Sequence, residues 1–334
     1  MKSLLYIGNK LSRHGSTATA IETLGPLLEA DGFLVRYASS KQNKLLRFID
    51  MLWATIAGRT RTDYVLIDTY STQNFWYAVA IAWICKRLKL KYIPILHGGN
   101  LPSRLESNPK LCKMVFGSAY KNVAPSGYLA DAFRDAGYDV AYIPNPVDIN
   151  AFQFFRRTEI GPRLLWVRSF APIYNPEMAV EAFSLIKSRF PDASLCMVGP
   201  DKGMMDSIRQ SARDKNLDIT FTGRQTRQEW AALSRNFDIF INTAHIDNAP
   251  FSIIEAAALG MVIISTNVGG IPYLLKHRES ALLVNDNDSP AMADAVLEVV
   301  ENDRLARDLL CNSRKLASDS DWNSVREKWL EILV

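Results

Sequence analysis

Two carboxylates, Asp247 and Glu255, bracket the segment Asn248-Ala249-Pro250-Phe251-Ser252-Ile253-Ile254, which runs on into Ala256-Ala257-Ala258-Leu259-Gly260. A strand-like run, residues 237–243, precedes the segment, and a short apolar helix ending at Gly260 follows, so the acids flank a strand-to-helix turn. A helix start offers unpaired backbone N–H groups, here those of Ser252, Ile253 and Ile254, at the positive end of its dipole. Such an end binds a phosphate without any lysine, and Glu255 projects beside it. A capping Asp in a loop plus a surface Glu would give the same letters, so the pair alone leaves both readings open. His97 is a second candidate. It follows the strand-like run 92–96, precedes Gly98-Gly99-Asn100, and so stands at a strand's carboxyl end, where open sheets hold ligands.

Strands and helices alternate along the whole chain. Residues 2–7, a helix over 17–30 and a strand over 33–38 make an opening unit of parallel-sheet type, with His14-Gly15-Ser16 where loop meets helix. Strands are expected at 64–68, 92–96 and 123–126, and helices at 75–85 and 128–135. Residues 101–111 show no clear period and read as a mobile loop. Two prolines around Asn145 stiffen a connector, placing an interdomain hinge at about 145–160. Beyond it come strands at 163–167, 194–199, 219–222, 237–243 and 262–266, helices at 176–189, 204–215 and 229–236, and a final helix at about 321–333 that carries Trp322 and Trp329.

A length of 334 residues suits two domains with ample core, and 48% hydrophobic with 22% charged residues describes an ordinary globular chain. Cys85, Cys112, Cys196 and Cys311 show no metal-ligand spacing and read as reduced thiols of a cytosolic protein. Residues 1–8 lack the long apolar region of a signal peptide. The net charge of +4 conceals an asymmetry: residues 1–150 carry 18 Lys and Arg against 11 Asp and Glu (+7), residues 151–334 carry 21 against 24 (−3). The basic half would face anionic lipid, a phosphorylated acceptor or nucleic acid, or its lysines are simply solvated. Its aromatic helix 75–85, followed by Lys86, Arg87, Lys89 and Lys91, is too short to span a bilayer. Either it lies on an anionic membrane, with Trp53, Arg47, Arg59 and Arg61 as a second anchor, or it covers a parallel sheet.

The seven-residue gap between Asp247 and Glu255, and the Glu-Ala-Ala-Ala-Leu-Gly ending, resemble the paired-acid motif of retaining GT-B glycosyltransferases, family 4 in particular. The order of the remaining motifs is similar too: a glycine loop at Gly15-Ser16, strand-end His97, Ile143-Pro144-Asn145-Pro146-Val147-Asp148, strand-end Arg168, and Gly269-Gly270-Ile271-Pro272. The resemblance implies a GT-B fold, two Rossmann-like doubly wound domains facing a central cleft. An acceptor-binding domain would occupy 1–150, a donor-binding domain 151–318, and residues 319–334 would cross back to the first. It implies retaining transfer from a UDP- or GDP-sugar to a glycan or lipid-linked acceptor in cell-surface polysaccharide or glycolipid synthesis. No cofactor or metal is expected.

By the same resemblance Arg168 clamps the donor diphosphate, Gly15, Ser16 and the backbone of residues 251–254 approach its phosphates, Gly223-Arg224-Gln225 meets the base, Glu255 holds the ribose, and Asp247 and His97 face the sugar. Three positions depart from the pattern: Asp247 replaces a glutamate, Pro146 a glycine, and the lysine normally about five residues after the arginine is missing. Lys202, Arg224 or Arg227 could supply its charge. The runs Asp286-Asn287-Asp288 and Asp319-Ser320-Asp321 look like metal motifs but sit in turn and cap contexts. A same-fold epimerase or phosphorylase, or a non-catalytic scaffold with a decayed donor site, remain the alternatives. Nucleic-acid binding is not expected, since no recognition module is present.

Overall fold

The computed structural model describes residues 2–11 and 19–334; Gly15 and Ser16 lie outside the described residues. The chain divides into two compact units, one made of residues up to Pro146 together with Trp322–Val334, the other of Val147–Asp321. The first holds β1 (Ser3–Ile7), α1 (Ala20–Ala30), β2 (Leu34–Ala38), α2 (Lys44–Ala57), β3 (Tyr64–Thr69), α3 (Phe75–Leu88), β4 (Lys91–Leu96), α4 (Leu101–Ser107), α5 (Pro109–Phe116), β5 (Asn122–Ala124), α6 (Gly127–Asp135) and β6 (Val140–Tyr142). The second holds β7 (Arg163–Val167), α7 (Pro176–Arg189), β8 (Ser194–Val198), α8 (Met205–Asp214), β9 (Ile219–Gly223), α9 (Arg227–Leu233), β10 (Ile239–Asn242), α10 (Phe251–Ala258), β11 (Val262–Thr266), α11 (Ile271–Leu274), β12 (Leu282–Val284), α12 (Ser289–Glu301) and α13 (Asp303–Asp319); α14 (Trp322–Leu333) returns to the first.

Each unit is one six-stranded parallel sheet, ordered β2-β1-β3-β4-β5-β6 and β12-β11-β10-β7-β8-β9. Because both faces of such a sheet are covered by helices, its strands are apolar on alternate residues in both directions. In β1, Leu5 and Ile7 join the core under α2, α3, α5 and α6, while Leu4 and Tyr6 join the core on the opposite face with Ile21, Leu24 and Leu28 of α1. That second face is completed by Trp322, Val325, Trp329, Ile332 and Leu333 of α14. Arg326 of the same helix donates to Asp31 Oδ2 at 2.7 Å.

Local signals set most helix starts. Asn43, Ser126, Asn175 and Asp288 cap α2, α6, α7 and α12 through their side chains, and Pro176 stands at the first position of α7, where a missing N–H costs nothing. The expected loop at 101–111 is a correction: it folds into α4 and the first part of α5. Pro102 and Pro109 each sit in a first turn, and Leu101 and Cys112 are buried. The second proline breaks the apolar period into two short helices, which concealed both. The expected hinge residues are fastened to the second unit from Val147 on. Phe152 lies in its core, and the buried Arg157 donates to the carbonyls of Ser234, Phe237, Leu259 and Gly260. The Asp-x-Asp runs have structural work: Asp288 Oδ1 accepts Ala291 N–H at 2.9 Å, and Asp321 Oδ1 accepts Ile149 N–H at 3.3 Å.

Candidate functional site

In the second sheet β7 and β10 are neighbours, and the chain leaves them toward opposite edges, β8 and β9 on one side, β11 and β12 on the other. The crevice beyond their carboxyl ends is where such a sheet receives ligands. Arg168 follows β7 directly and Asn242 ends β10. Asn242 is oriented from below: Ser265 Oγ donates to Thr266 O at 3.0 Å and accepts Asn242 Nδ2 at 2.9 Å, which turns Asn242 Oδ1 toward Arg168 Nε at 3.0 Å. The guanidinium then reaches Asp247, Nη2 to Oδ2 at 3.0 Å, and packs 5.3 Å from the Tyr174 ring centroid. Nη2 is buried, and despite this ion-pair distance it is not aligned for a hydrogen bond.

Asp247 opens the turn into α10, whose N-cap is Pro250, a residue with no side-chain acceptor for the first amides. Ile253 N–H is taken by the Pro250 carbonyl at 3.2 Å, so the sequence reading of that amide as a free donor is corrected. Those of Phe251 and Ser252 open the helix, where no intrahelical acceptor exists for them. The turn is supported by Gly269 and Gly270. Gly270 N–H donates to Asp247 O at 2.8 Å, and a Cβ on either glycine would overlap the Asp247 or Asn248 carbonyl.

Three residues further along α10 than Ser252, and so on the same face, Glu255 is almost wholly buried. Arg227 Nε stands 2.9 Å from its Oε1, close but not aligned as a hydrogen bond, and the Arg227 guanidinium lies 5.5 Å from the Phe251 ring centroid. Burial raises the Glu255 carboxyl above its ordinary range, while Arg227 and then Arg168 pull it back. Buried polar atoms are nearly always hydrogen-bonded. Here Arg168 Nη2, Ser252 Oγ and Glu255 Oε1 are not: the first and last have an ion-pair neighbour, Asp247 and Arg227, but no aligned hydrogen bond, so a donor, a hydroxyl and an acceptor keep hydrogen-bonding capacity for a polar ligand. Arg227, one of three candidates for the missing lysine's charge, is engaged with Glu255; Arg224 and Lys202 are exposed, in the loops beyond β9 and β8.

His97 belongs to the first unit. Its N–H donates to Thr69 O at 2.9 Å, and its Nε2 lies 3.0 Å from Oδ1 of Asp68, a buried residue that the sequence reading passed over. Tyr6 OH donates to the same Oδ1 at 3.1 Å, and Tyr77 OH to the Asp68 carbonyl at 2.6 Å. Asp68 Oδ2 is buried without a hydrogen-bond partner, 2.5 Å from where a Cβ on Gly8 would stand. The available signal was an acid in the otherwise apolar strand Tyr64–Thr69, buried along its whole length. Gly8 directly follows β1 and Asp68 is the last but one residue of β3, the adjacent strands at which this sheet changes direction. Among the described residues, no group of three His, Cys, Asp or Glu could hold a metal ion. No helix among them is long and apolar enough to cross a membrane.

Residues 150–316 match the model of the family described as glycosyl transferases group 1. The phosphatidyl-myo-inositol mannosyltransferase of Mycolicibacterium smegmatis is 25% identical over 203 residues, 59% of this chain and 52% of that protein. The N-acetyl-alpha-D-glucosaminyl L-malate synthase of Bacillus anthracis is 24% identical over 251 residues, 68% and 64% of the two chains. The chain thus spans about half to two-thirds of the length of the curated relatives it matches. Among solved structures, Anabaena HepE in complex with UDP superposes with a TM-score of 0.80 at 16% identity, covering 100% of this chain and 99% of that one. At that identity the likeness establishes the architecture: two parallel six-stranded sheets with flanking helices.

Proposed function

The chain belongs to the glycosyl transferases of group 1 and has the GT-B fold, and from that premise we propose that it transfers a sugar from a nucleoside diphosphate sugar to a hydroxyl of a glycan or lipid-linked acceptor. The observation that carries this is the cluster on the second unit: Arg168, the uncapped start of α10, and buried atoms without a hydrogen bond on Arg168, Ser252 and Glu255. A diphosphate needs cationic and N–H donors, and a ribose needs an acceptor for its hydroxyls; this cluster offers both. HepE, which shares the architecture, is described with UDP bound, and the mycobacterial relative is named for a phosphatidyl-myo-inositol acceptor; both favour the reading.

In this reading Arg168 Nη2 and the N–H groups at Phe251 and Ser252 hold the diphosphate, and Glu255 Oε1 accepts from the ribose. As the bond from the anomeric carbon to the diphosphate breaks, negative charge grows on the leaving oxygen, and these preorganised donors stabilise it without a metal ion. The acceptor oxygen bonds to the anomeric carbon with retention of configuration, and its proton departs with the diphosphate. Asp247, held by Arg168, limits how far the guanidinium can move and lies beside the transferred sugar. His97 of the first unit, oriented by Asp68, presents its remaining ring nitrogen to an acceptor hydroxyl. We place the reaction in the cytoplasm; burial of Cys85, Cys112 and Cys196, whose thiols are pushed up to about 12, 11 and 11, fits chemistry that leaves thiols unused.

The test is thermal unfolding with a panel of nucleoside diphosphates, with and without a chelator, repeated with Glu255→Ala. Binding to the folded state raises the midpoint. A rise with one base that ignores the chelator and disappears in Glu255→Ala supports the reading; no rise with any nucleotide favours a scaffold whose donor site has decayed.

A further inference from the structure

Helix α2 has two apolar faces. At about 100° per residue, Leu45, Ile56, Ile49, Trp53 and Leu46 fall within an arc of about 100°, and all five are exposed, Trp53 at 69% and Leu45 at 65%. Arg47, Met51 and Thr55 occupy the opposite, buried side. α3 packs beside α2 over the same face of the sheet and turns Trp76 and Trp83, seven residues apart, outward. Soluble surfaces scatter their large apolar residues singly. Here seven, three of them tryptophans, stand together on two packed helices.

Charge identifies the occupant. Lys41 and Lys44 lead into the stripe, Arg59 and Arg61 follow it, and Lys86, Arg87 and Lys89 close α3, all exposed. Asp50 is the one acid in residues 41–61 and 75–89. Arg47 takes no part, a correction to the sequence reading. Its guanidinium turns inward and donates to the carbonyls of Lys41 at 2.8 Å and Gln42 at 3.1 Å. Arg87 stands 4.8 Å from the Trp83 ring centroid, a tryptophan and a cation at one level. An apolar stripe with a cationic border and almost no acid fits the interface of a bilayer rich in anionic headgroups, where side chains of the stripe enter the acyl boundary and the cations meet phosphates. A second copy would set like charges against each other. We propose that α2 and α3 seat the first unit on an anionic membrane surface. The inference rests on the transferase reading only in that a lipid-linked acceptor would be met there.

The full chain is mixed with vesicles of phosphatidylcholine, alone or with phosphatidylglycerol, and followed by sedimentation and tryptophan emission. Binding to the anionic vesicles is expected, with emission shifted to the blue, affinity for the neutral vesicles lower by about tenfold or more, and release as salt rises. Ile49→Ser with Trp53→Ser, and separately Lys86→Glu with Arg87→Glu, each lower binding by about tenfold or more. Lys328→Glu, on α14 against the other sheet face, leaves it unchanged. All are exposed positions, so each variant keeps the wild-type melting midpoint. Absence of binding at low salt, or equal binding by wild type and both double variants, overturns the proposal. So does a wild-type dimer that Ile49→Ser with Trp53→Ser converts to monomer. The nucleotide-induced rise in midpoint is read separately, so loss of one property does not disguise loss of the other.

Discussion

The two sheets place polar residues at equivalent points and equip them differently. Beyond β7 and β10 the second unit gathers Arg168, Arg227, Asp247 and Glu255 around a helix start, a site of mixed charge and unpaired N–H groups. Beyond β1, β3 and β4 the first unit holds one buried carboxylate, Asp68, ringed by His97, Tyr6 and Tyr77. The first arrangement suits phosphate; the second suits hydroxyls, which both give and take hydrogen bonds. Related topology therefore does not dictate like chemistry. The side chains at the strand ends decide it.

The sharpest way to break this contrast is Arg168→Ala, which should lower transfer by at least about a hundredfold, about 2.7 kcal/mol of transition-state stabilisation. Nucleotide binding measured by calorimetry should fall with it. If transfer survives, the cationic cluster is not the diphosphate site. Next comes Gly270→Ala, whose methyl would overlap the Asn248 carbonyl and displace the turn into α10. Denaturant unfolding should show a loss of about 2 kcal/mol, with nucleotide affinity reduced and the His97 site unaffected.

Asp68→Asn sharpens the contrast from the other side. It keeps the shape but weakens the hold on the His97 ring, so kcat should drop about tenfold while nucleotide affinity in the second unit stays put; a change in nucleotide affinity would contradict separate roles. The smallest effect concerns pH. Because the folded Glu255 carboxyl is raised, the native state keeps this proton to higher pH than the unfolded chain. Its contribution to stability therefore falls as pH climbs from the ordinary carboxylate range through the raised value, and is level above it. Glu255→Gln should flatten that decline and raise the neutral-pH melting midpoint, even as ribose binding weakens.

Much of the framework was legible because parallel strands buried on both faces are written as apolar runs. Residues 163–167, 176–189 and 262–266 are β7, α7 and β11 as expected. The pair α4 and α5 was not, since Pro109 splits its period. Asp247 and Glu255 were visible through local spacing, and Arg168 through its place after a strand. The pairing of Arg168 with Asp247 across 79 positions, of Arg227 with Glu255, and of His97 with Asp68 depends on which strands become neighbours, which no local pattern encodes. Asp68 was hidden by its setting. A single acid in an apolar strand looks like an interruption until the sheet shows that it stands where the strand order reverses.

The return of α14 to the first unit also bears on how a ribosome delivers this protein. Residues up to Pro146 emerge first, yet one face of their sheet, with Leu4, Tyr6, Leu66 and Ile93, is covered in part by α1 and closed only when Trp322, Trp329 and Leu333 arrive. At ordinary elongation rates the intervening 147–321 segment takes roughly 9 to 35 s to synthesise. Throughout that interval the earlier-made half carries a partly uncovered apolar face, while the contiguous later half can complete its own core first. The usual order of vectorial folding, first made and first finished, is reversed in this chain, and its opening half is the one that would occupy a chaperone.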